Sequence, residues 1–426
     1  MYEKLYDENA YAVEFLSEVV STYVTTWDDE EVFEFVLEKT TFFPEQGGQT
    51  SDTGMFYDTD SENEFEVFHA YIKDDTVYHL ARLVKKPVET KKRKKIEEEE
   101  ELIDPKSVKL PKRIIGRINW DERFDKMQQH SGEHLVSGTV HRLFGYDNVG
   151  FSLSSDNVTL DFNGKFTDED ILEIEKTVNR AVFENFKVKV YYPDPEELRK
   201  IPYRSKKELV GRIRIVEFPG YDICACCAPH VASTGEIGLI KIVSAEHFKG
   251  GTRMSIRCGY RALNDYRSLL ESARGVSRLL SVTKEDVLPA VEKLNNELRD
   301  ARFELIGYKA KVLDAAFESA VTSGDRDHNN PIMFTSNLDA AIIRKSINNV
   351  IDRTNGYCGV FYTGDKEGFS YIIGSNVKDC TVLAAALKEK FSSKGGGNKS
   401  MIQGNVTATE YEIKDFLKDY TDGVFL

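Results

Sequence analysis

The segment MQQHSGEHL at 127–135 decides how the rest of the chain is organised. His130 and His134 are four residues apart, so on a helix both imidazoles lie on one face. Cys226 and His230, in the segment CCAPH, repeat this spacing. One such pair alone is also typical of ordinary packing, but the chain has only 8 histidines and three of them fall in these two segments. Three imidazoles and one thiolate predict a tetrahedral zinc site.

Three cysteines compete for the thiolate position of this site. Only a thiolate binds metal, and the CxxxH spacing selects Cys226, with Cys224 and Cys227 as rival ligands. The chain has 6 cysteines, and their crowding here indicates metal ligation in a reduced compartment rather than a disulfide framework. We therefore expect a cytoplasmic protein.

The composition is that of a folded chain with an ample core. Hydrophobic residues make up 41% and charged residues 30% of the 426 residues, a length that allows two to four domains. We find no apolar run long enough for a membrane span and no signal peptide at the N-terminus. The net charge of -14 argues against bulk attraction to nucleic acid, so any RNA contact must use local basic stretches. Each of these is equally explained as a solvated surface; they are Lys106–Arg113, Arg204–Arg214, Lys249–Arg257 and Lys388–Lys399.

The pattern predicts an α+β multidomain chain. We expect a β-barrel-like module at 1–112, an α/β-sandwich zinc domain at 113–258, a helical or coiled-coil spacer at 259–322 and a small α/β domain at 323–426. A charged insertion at 85–113 has a basic block followed by an acidic one. We predict that it is a surface linker at the boundary between the first two domains.

The first histidine pair is predicted to lie on an amphipathic helix. Asp121 is expected to cap this helix and Gly145 to end it. The expected buried stripe consists of Phe124, Met127, Leu135, Val140 and Leu143. His141 falls near the same face, and we assign it a structural role.

The spacer carries apolar residues that alternate three and four apart. They predict either a helical hairpin packed on itself or an intermolecular coiled coil. The seam consists of Val291, Leu294, Leu298, Ala301, Leu305, Tyr308, Val312 and Ala315.

A glycine loop, TTFFPEQGGQ at 40–49, follows a predicted strand in the first module. Adjacent Gly47 and Gly48 allow positive φ and a close approach of the backbone to a ligand. No Lys-Ser/Thr pair follows, so this is not a phosphate loop, and a hairpin turn is the alternative.

Together these three motifs resemble the editing module of alanyl-tRNA synthetases and, most of all, the free-standing alanyl-tRNA editing proteins of the AlaX group. The family loop is PEGGGQ and the family ligand turn is CGGTH; Gln46, Cys227, Ala228 and Pro229 depart from them. The resemblance implies one Zn²⁺ per chain, held by His130, His134, Cys226 and His230. Whether zinc activates water or positions substrate, and whether the site is structural or open, stays undecided.

The resemblance also implies roles for residues around the zinc. As catalytic residues we expect Gln49, Glu133 and Thr40, and as substrate-binding residues Gly47, Gly48, Gln129, Ser152, Thr234 and Arg253. Thr40, Gln49 and Ser152 are candidates for recognising a serine hydroxyl. Glu133 could act as a general base, although in the zinc peptidase pattern HExxH the glutamate directly follows the first histidine, where this chain has Ser131.

The C-terminal segment GGGNKSMIQGN resembles a domain that alanyl-tRNA synthetases share with DHH phosphoesterases. The resemblance implies RNA contacts by Gly395, Gly396, Gly397, Lys399 and Gln403, while a flexible glycine turn is the alternative. The acidic triad of those phosphoesterases is absent from the chain.

These expectations combine into a zinc-dependent aminoacyl-tRNA deacylase, a carboxylic ester hydrolase acting in protein biosynthesis. Its expected partner is tRNA(Ala) mischarged with serine or glycine, without ATP, because no ATP-binding or aminoacylation domain fits in the chain. A homodimer is expected and a membrane partner is not. The alternative is a zinc-stabilised tRNA- or RNA-binding protein without hydrolytic activity.

Overall fold

The computed structural model describes residues 2–84, 108–154, 157–205, 212–323, 330–336, 338–363 and 368–421. Three predicted segments lie partly outside these ranges: the charged insertion, including Lys106; the basic stretch Arg204–Arg214, at residues 206–211; and the start of the small α/β domain, at residues 324–329. The chain forms two compact units, Met1–Ser272 and Ala273–Leu426.

The first unit contains, in chain order, β1 (Glu3–Lys4), α1 (Leu5–Glu8), β2 (Glu14–Trp27), β3 (Glu30–Leu37), β4 (Lys39–Thr40), β5 (Gly54–Asp58), β6 (Glu64–Lys73), β7 (Thr76–Leu83), β8 (Arg113–Ile118), α2 (Trp120–Phe144), β9 (Asn148–Leu153), β10 (Val158–Phe162), α3 (Asp168–Glu184), β11 (Lys189–Tyr191), α4 (Pro195–Leu198), β12 (Ile215–Phe218), β13 (Asp222–Ala225), β14 (Ile240–Phe248) and β15 (Gly251–Cys258). A 3-10 turn at Thr234–Ile237 separates β13 from β14, and α5 (Gly259–Leu280) contains the boundary between the units.

A closed barrel, in the order β2-β3-β7-β6-β5-β8, forms the N-terminal part of this unit. Its interior is aromatic, because alternate positions of the strands point inward and carry buried rings such as Phe33, Phe35, Phe56 and Phe65. The barrel and the mixed α+β class agree with the sequence prediction. The barrel nevertheless extends past the boundary expected at 112, since β8 pairs with both β2 and β5.

Helix α2 follows the barrel directly and forms the centre of the zinc-ligand region. It lies against α3, β13 and the sheet β14-β15-β10-β9, while β11-β12-β13 form a separate three-stranded sheet. The predicted amphipathic character is wrong, because every residue from Met127 through Val140 is buried. A Cβ on Gly138 would lie 2.4 Å from the Tyr221 carbonyl oxygen, and one on Gly132 would lie 2.3 Å from Cys258 Sγ. These two glycines therefore permit close packing against two different neighbours of the helix.

The helix ends differ from the prediction in part. Asn119 occupies the N-cap position instead of Asp121, which lies in the first turn, where its charge favours the helix dipole. Gly145 ends the helix with a φ of 70°, as predicted. Leu143 is 41% exposed, since the last turn extends beyond the core, and does not belong to the buried stripe.

The second unit contains α6 (Val287–Ser323), β16 (Ile332–Ser336), α7 (Ala340–Val350), β17 (Cys358–Thr363), β18 (Phe369–Gly374), α8 (Cys380–Phe391), β19 (Lys394–Gly397), β20 (Met401–Val406) and α9 (Glu410–Leu417), with a 3-10 turn at Ile351–Arg353. Its sheet has the order β16-β17-β18-β20-β19. The glycines predicted to form a loop instead form the edge strand β19, where they pair with β20.

The predicted seam lies on the single long helix α6. Its apolar residues at Leu294, Leu298, Leu305 and Val312 are exposed in the isolated chain. Among the helices described by the structure, none has the length and apolar character needed to cross a membrane.

Candidate metal centre

Four side chains predicted as zinc ligands converge in the first unit. α2 supplies His130 and His134, whose ring centroids are 5.4 Å apart, and the segment after β13 supplies Cys226 and His230. Cys226 Sγ lies 3.6 Å from His130 Nε2 and 3.3 Å from His230 Nε2. One potential ligand atom from each of the four residues lies within 4.8 Å of all the others. This is the donor set of a tetrahedral zinc site.

Each imidazole is oriented through its other ring nitrogen. His130 Nδ1 lies 2.8 Å from Gln49 Oε1, and His134 Nδ1 lies 2.8 Å from Asp222 Oδ2. His230 Nδ1 lies 3.1 Å from Ser131 Oγ. Hydrogen bonds of this kind fix the ring so that Nε2 is presented to a metal.

The buried nitrogen of His134 tests whether these residues fit a metal ion. His134 Nε2 has no hydrogen-bond partner among the described residues, although the side chain is buried. An unsatisfied buried nitrogen is costly, and metal ligation would satisfy it. Burial, together with His134 and His130 nearby, holds the pKa of His230 well below its usual range, which keeps that imidazole neutral and able to bind metal. The residues present therefore fit a divalent metal.

The two rival cysteines occupy different environments. Burial raises the pKa of the Cys224 thiol to about 11 and that of Cys227 to about 12, so both are protonated near neutral pH unless a metal binds them. Cys224 belongs to a second, overlapping group with His134 and Asp222, whose potential ligand atoms also lie within 4.8 Å of one another. Cys226 alone of the three belongs to the four-residue group.

Asp222 orients His134 and is itself fixed by an arginine. Arg204 donates to it through Nε at 2.7 Å and through Nη2 at 2.9 Å. Burial alone would raise the pKa of Asp222, but the hydrogen bonds from His134 and Arg204 outweigh burial and lower it. Neither residue was predicted to belong to the metal centre: Arg204 was predicted only as the start of a basic stretch, and Asp222 is marked in the sequence only by lying two positions before Cys224.

Glu133 lies beside the four ligands. Its Oε2 is 3.9 Å from His134 Nε2, and its Oε1 accepts hydrogen bonds from Ser137 Oγ at 2.8 Å and Asn148 Nδ2 at 2.7 Å. The side chain is buried in the protein but contributes to the wall of the adjacent cavity. A carboxylate in this position can accept a proton from a bound water.

The glycine loop covers the same cavity. Gly47 and Gly48 have φ values of 66° and 86°, and Gly48 accepts a hydrogen bond from Leu153 N at 2.8 Å. A Cβ on Gly48 would lie 2.8 Å from the Phe151 carbonyl oxygen, so this close approach requires glycine. Below the loop, the buried Arg123 forms an ion pair with Asp52, which also accepts a hydrogen bond from Phe43 N at 2.7 Å. These buried contacts hold Phe43 and Asp52, which flank the glycine loop, in fixed positions.

The cavity has a volume of about 650 Å³. The glycine loop, β9 and the ligand turn form its walls, and three of the four ligands, His130, His134 and Cys226, contribute to them. The lining also includes Tyr192 and Arg212, as well as Lys4, which pairs with Asp75, and Arg214, whose Nε lies 4.0 Å from the lining residue Asp7. Arg212 lies over the Tyr192 ring, with its Cζ 4.1 Å from the ring centroid.

Six other residues predicted for catalysis or substrate binding, Gln49 among them, lie outside the described lining of this cavity. Thr40 is in the barrel core, 2.9 Å from His79 Nε2, and Gln129 bonds to the backbone of Cys258. Thr234 donates to the Ala181 carbonyl at 2.7 Å, Arg253 pairs with Asp161 at 2.6 Å, and Ser152 is exposed on β9. Spacing along the chain could not separate these positions from the cavity, because their contacts are with residues far away in the sequence, such as Cys258 for Gln129 and Ala181 for Thr234.

A second cavity, also of about 650 Å³, lies in the second unit along the edge strand β19. The predicted residues Gly395, Gly396, Gly397 and Gln403 line it, together with Lys394 of the predicted basic stretch Lys388–Lys399. The lining also includes residues that the sequence did not indicate: Arg344, Tyr362 and Tyr371. Lys399 is not among the described lining residues and lies 3.9 Å from Asp379.

Comparison with known proteins links the chain to tRNA editing. Residues 213–255 match the family described as the threonyl and alanyl tRNA synthetase second additional domain. The chain is 26% identical to the alanyl-tRNA editing protein AlaX-L of Pyrococcus horikoshii, over 97% of both chains. It is 25% identical to the alanyl-tRNA editing protein Aarsd1 of Rattus norvegicus, over 91% of this chain and 88% of that protein.

Alanine–tRNA ligases are also similar, but only in part of their length. The ligase of Pyrococcus abyssi is 28% identical over 94% of this chain, which spans only 42% of the ligase. The match is therefore full length with the editing proteins and partial with the ligases.

Proposed function

Because this chain is an alanyl-tRNA editing protein of the AlaX type, we propose that it hydrolyses the ester of Ser-tRNA(Ala), and of Gly-tRNA(Ala) as a second substrate. An alanine pocket admits the smaller glycine and rejects serine weakly, so accurate charging needs a second, hydrolytic site. The observation that carries the proposal is the convergence of four potential ligand atoms within 4.8 Å of one another, beside Glu133.

We assign one Zn²⁺ to His130, His134, Cys226 and His230. When bound, zinc supplies a Lewis acid for the developing charge on the ester and an anchor for substrate. Residues of the chain orient the ligands and shape the site. Gln49, Asp222 and Ser131 hold the three imidazoles in place, and the glycine loop restricts the access of water.

Glu133 is assigned as the general base. Its carboxylate takes a proton from water, the water oxygen bonds to the ester carbonyl carbon, and the carbon–oxygen bond to the terminal ribose breaks. The proton then passes to the ribose oxygen, which leaves as a hydroxyl. Gln49 is the candidate for serine recognition, because its Nε2 is a buried donor that lacks a hydrogen-bond partner in the described part of the chain. Thr40 and Ser152 receive no such support from their positions.

The RNA would be held in two places. In the first cavity, Arg212 suits the phosphate of the terminal nucleotide, whereas Lys4 and Arg214 already pair with Asp75 and Asp7. In the second unit, the exposed strand β19 presents a surface without side chains between Lys394 and Arg344, where a sugar–phosphate backbone can approach closely.

A homodimer in the cytoplasm remains part of this proposal. It is supported by the exposed apolar residues of α6, which Leu294, Leu298 and Leu305 exemplify.

The alternative function, RNA binding with a structural zinc, is favoured by one observation. Four protein ligands can close a zinc site completely, as in structural sites. The two functions differ in hydrolysis, which decides between them.

The experiment compares the release of amino acid from Ser-tRNA(Ala), Gly-tRNA(Ala) and Ala-tRNA(Ala). We expect rapid release of serine, slower release of glycine and sparing of the alanyl ester. Cys226→Ala should abolish release, whereas Cys380→Ala, a buried cysteine of the second unit, should retain it. A zinc-containing protein that spares all three substrates would support RNA binding alone.

A further inference from the structure

We propose that Asn148 and Ser137 are positioning residues for Glu133, and that Asn148 ties this carboxylate to the wall of the substrate cavity. The inference rests on the proposed deacylase function and deepens it. Neither residue belongs to the group of four metal ligands, and their contacts with Glu133 and with β9 carry the inference.

The contacts form a closed triangle. Asn148 Nδ2 donates to Glu133 Oε1 at 2.7 Å and to Ser137 Oγ at 2.8 Å, while Ser137 Oγ donates to Glu133 Oε1 at 2.8 Å. All three side chains are buried, with exposed fractions of 7%, 0% and 2% for Asn148, Ser137 and Glu133. Two neutral donors thus hold one oxygen of a buried carboxylate and fix its rotation.

The orientation of the Asn148 amide is determined on both sides. Its Nδ2 faces two acceptors, and its Oδ1 accepts a hydrogen bond from the Gly150 backbone N–H at 3.1 Å. A flipped amide would place oxygen against the carboxylate and nitrogen against an N–H donor. Asn148 is therefore a directional connector rather than a packing residue.

This connector joins the general base to the cavity wall. Asn148 begins β9, and the next three residues, Val149, Gly150 and Phe151, line the cavity. The Phe151 ring centroid is 4.8 Å from that of His130. Held in this way, Glu133 keeps Oε2 on the side of His134 Nε2. A displaced carboxylate would still be present but would no longer meet the reacting water, so turnover depends on the connector.

The test is a double-mutant cycle with Asn148→Asp and Glu133→Gln. Asn148→Asp is isosteric and places a second carboxylate against Glu133. We expect kcat on Ser-tRNA(Ala) to fall about 100-fold with KM within about threefold, because the change misplaces the base without removing substrate contacts. In the Glu133→Gln background the same substitution should lower kcat less than twofold further. Ser137→Ala should lower kcat about tenfold in the native background.

Asn179→Asp is the matched control. Asn179 is a similar connector, which bridges α3 to β14 through the Glu175 and Ile240 carbonyls, each at 2.8 Å. Its substitution should leave kcat within twofold of the unmodified protein. If Asn148→Asp reduced kcat equally in both backgrounds, or left it unchanged in an active protein, the positioning role would be overturned.

Two further measurements on the four proteins of the cycle do not depend on activity. Zinc content should stay at one per chain, because the ligands and their partners are unchanged. The Tm should fall in Asn148→Asp and recover in the double variant, where the introduced glutamine amide can donate to the introduced aspartate. Failure of this recovery overturns the contact. Inactivity of the unmodified protein, with the recovery present, would instead overturn the deacylase function.

Discussion

At the scale of single residues, the metal centre depends on groups that do not touch the metal. His134 is oriented by Asp222 at 2.8 Å, and Asp222 is charged because Arg204 and His134 donate to it. Such partners fix the tautomer and increase the basicity of a ligating imidazole.

Asp222→Asn is therefore expected to weaken zinc binding by roughly 10- to 100-fold. The measurement is competition with a chromophoric chelator. The matched control is Asp147→Asn, which alters the same kind of contact, 3.0 Å from His141 Nδ1, at an exposed position. Equal affinities for the Asp222 variant and the unmodified protein would contradict this account of the centre.

Because His79 is buried, the free energy of unfolding is expected to depend on pH. Burial lowers the pKa of His79 to about 4, while the unfolded chain binds its proton near the ordinary value of 6.5. Below pH 6.5 the unfolded state binds more protons, so stability is full above that value and is lost as the pH falls towards 4. At pH 5 the loss is about 2 kcal/mol relative to neutral pH.

Urea unfolding at pH 7.5 and pH 5.0 measures this loss. His79→Gln keeps a hydrogen-bonding side chain next to Thr40 but removes the titration. We expect its pH-dependent loss to be smaller by about 2 kcal/mol. An identical loss in both proteins would show that His79 is not the titrating group.

The sequence indicated the four ligands because their spacing is local. The partners of the imidazoles could not be predicted in the same way. Gln49 and Asp222 come from segments far from His130 and His134, and only the barrel and the strand β13 bring them to α2. Thr40 is the opposite case: its place in the motif predicted a catalytic role that the structure does not support. Its side chain lies in the barrel core, next to His79.

At the scale of elements, α2 holds both the ligands and the base of the glycine loop. Arg123 on this helix is fully buried, pairs with Asp52 and donates to the Thr41 carbonyl at 2.5 Å. Lys126 donates to the Ser51 carbonyl at 2.6 Å. The same helix therefore sets the distance between the loop and the metal centre.

Arg123→Met is expected to destabilise the protein by about 3–5 kcal/mol, because it leaves the Asp52 carboxylate buried without its ion-pair partner. Chemical denaturation measures the effect. The control is Arg117→Met, which breaks an exposed, solvent-screened pair with Glu14 and should leave the midpoint of unfolding nearly unchanged. Similar costs for the two variants would contradict the structural role of the buried pair.

The helix and the glycine strand also show why element predictions failed in part. The pattern of α2 suggested one apolar face, but its small residues Gly132 and Gly138 allow close packing against Cys258 and against Tyr221, so polar positions are buried as well. Gly395–Gly397 suggested a loop, but pairing with β20 supplies the order that glycine itself does not favour.

At the scale of the whole molecule, the proposed function requires an acidic chain to bind RNA. The net charge of -14 opposes association, so local basic groups must supply the phosphate contacts. Lys394 and Arg344 border the bare glycine strand, which makes their groove the candidate surface in the second unit.

Lys394→Ala is expected to weaken binding of tRNA(Ala) and to reduce the slope of log affinity against log salt by about 1. Lys293→Ala, which removes an exposed lysine of α6, serves as the control and should change neither quantity. Fluorescence anisotropy over a series of salt concentrations measures both. An unchanged slope for the Lys394 variant would exclude this lysine from the phosphate contacts.

The central claim is that zinc held by His130, His134, Cys226 and His230 supports hydrolysis of Ser-tRNA(Ala). The most direct measurement is serine release by one preparation in three states: as purified with zinc, after chelation, and after zinc is restored. We predict release at one zinc per chain, loss of release on chelation and recovery on reconstitution. Serine release that continued unchanged in the metal-free protein would contradict the claim.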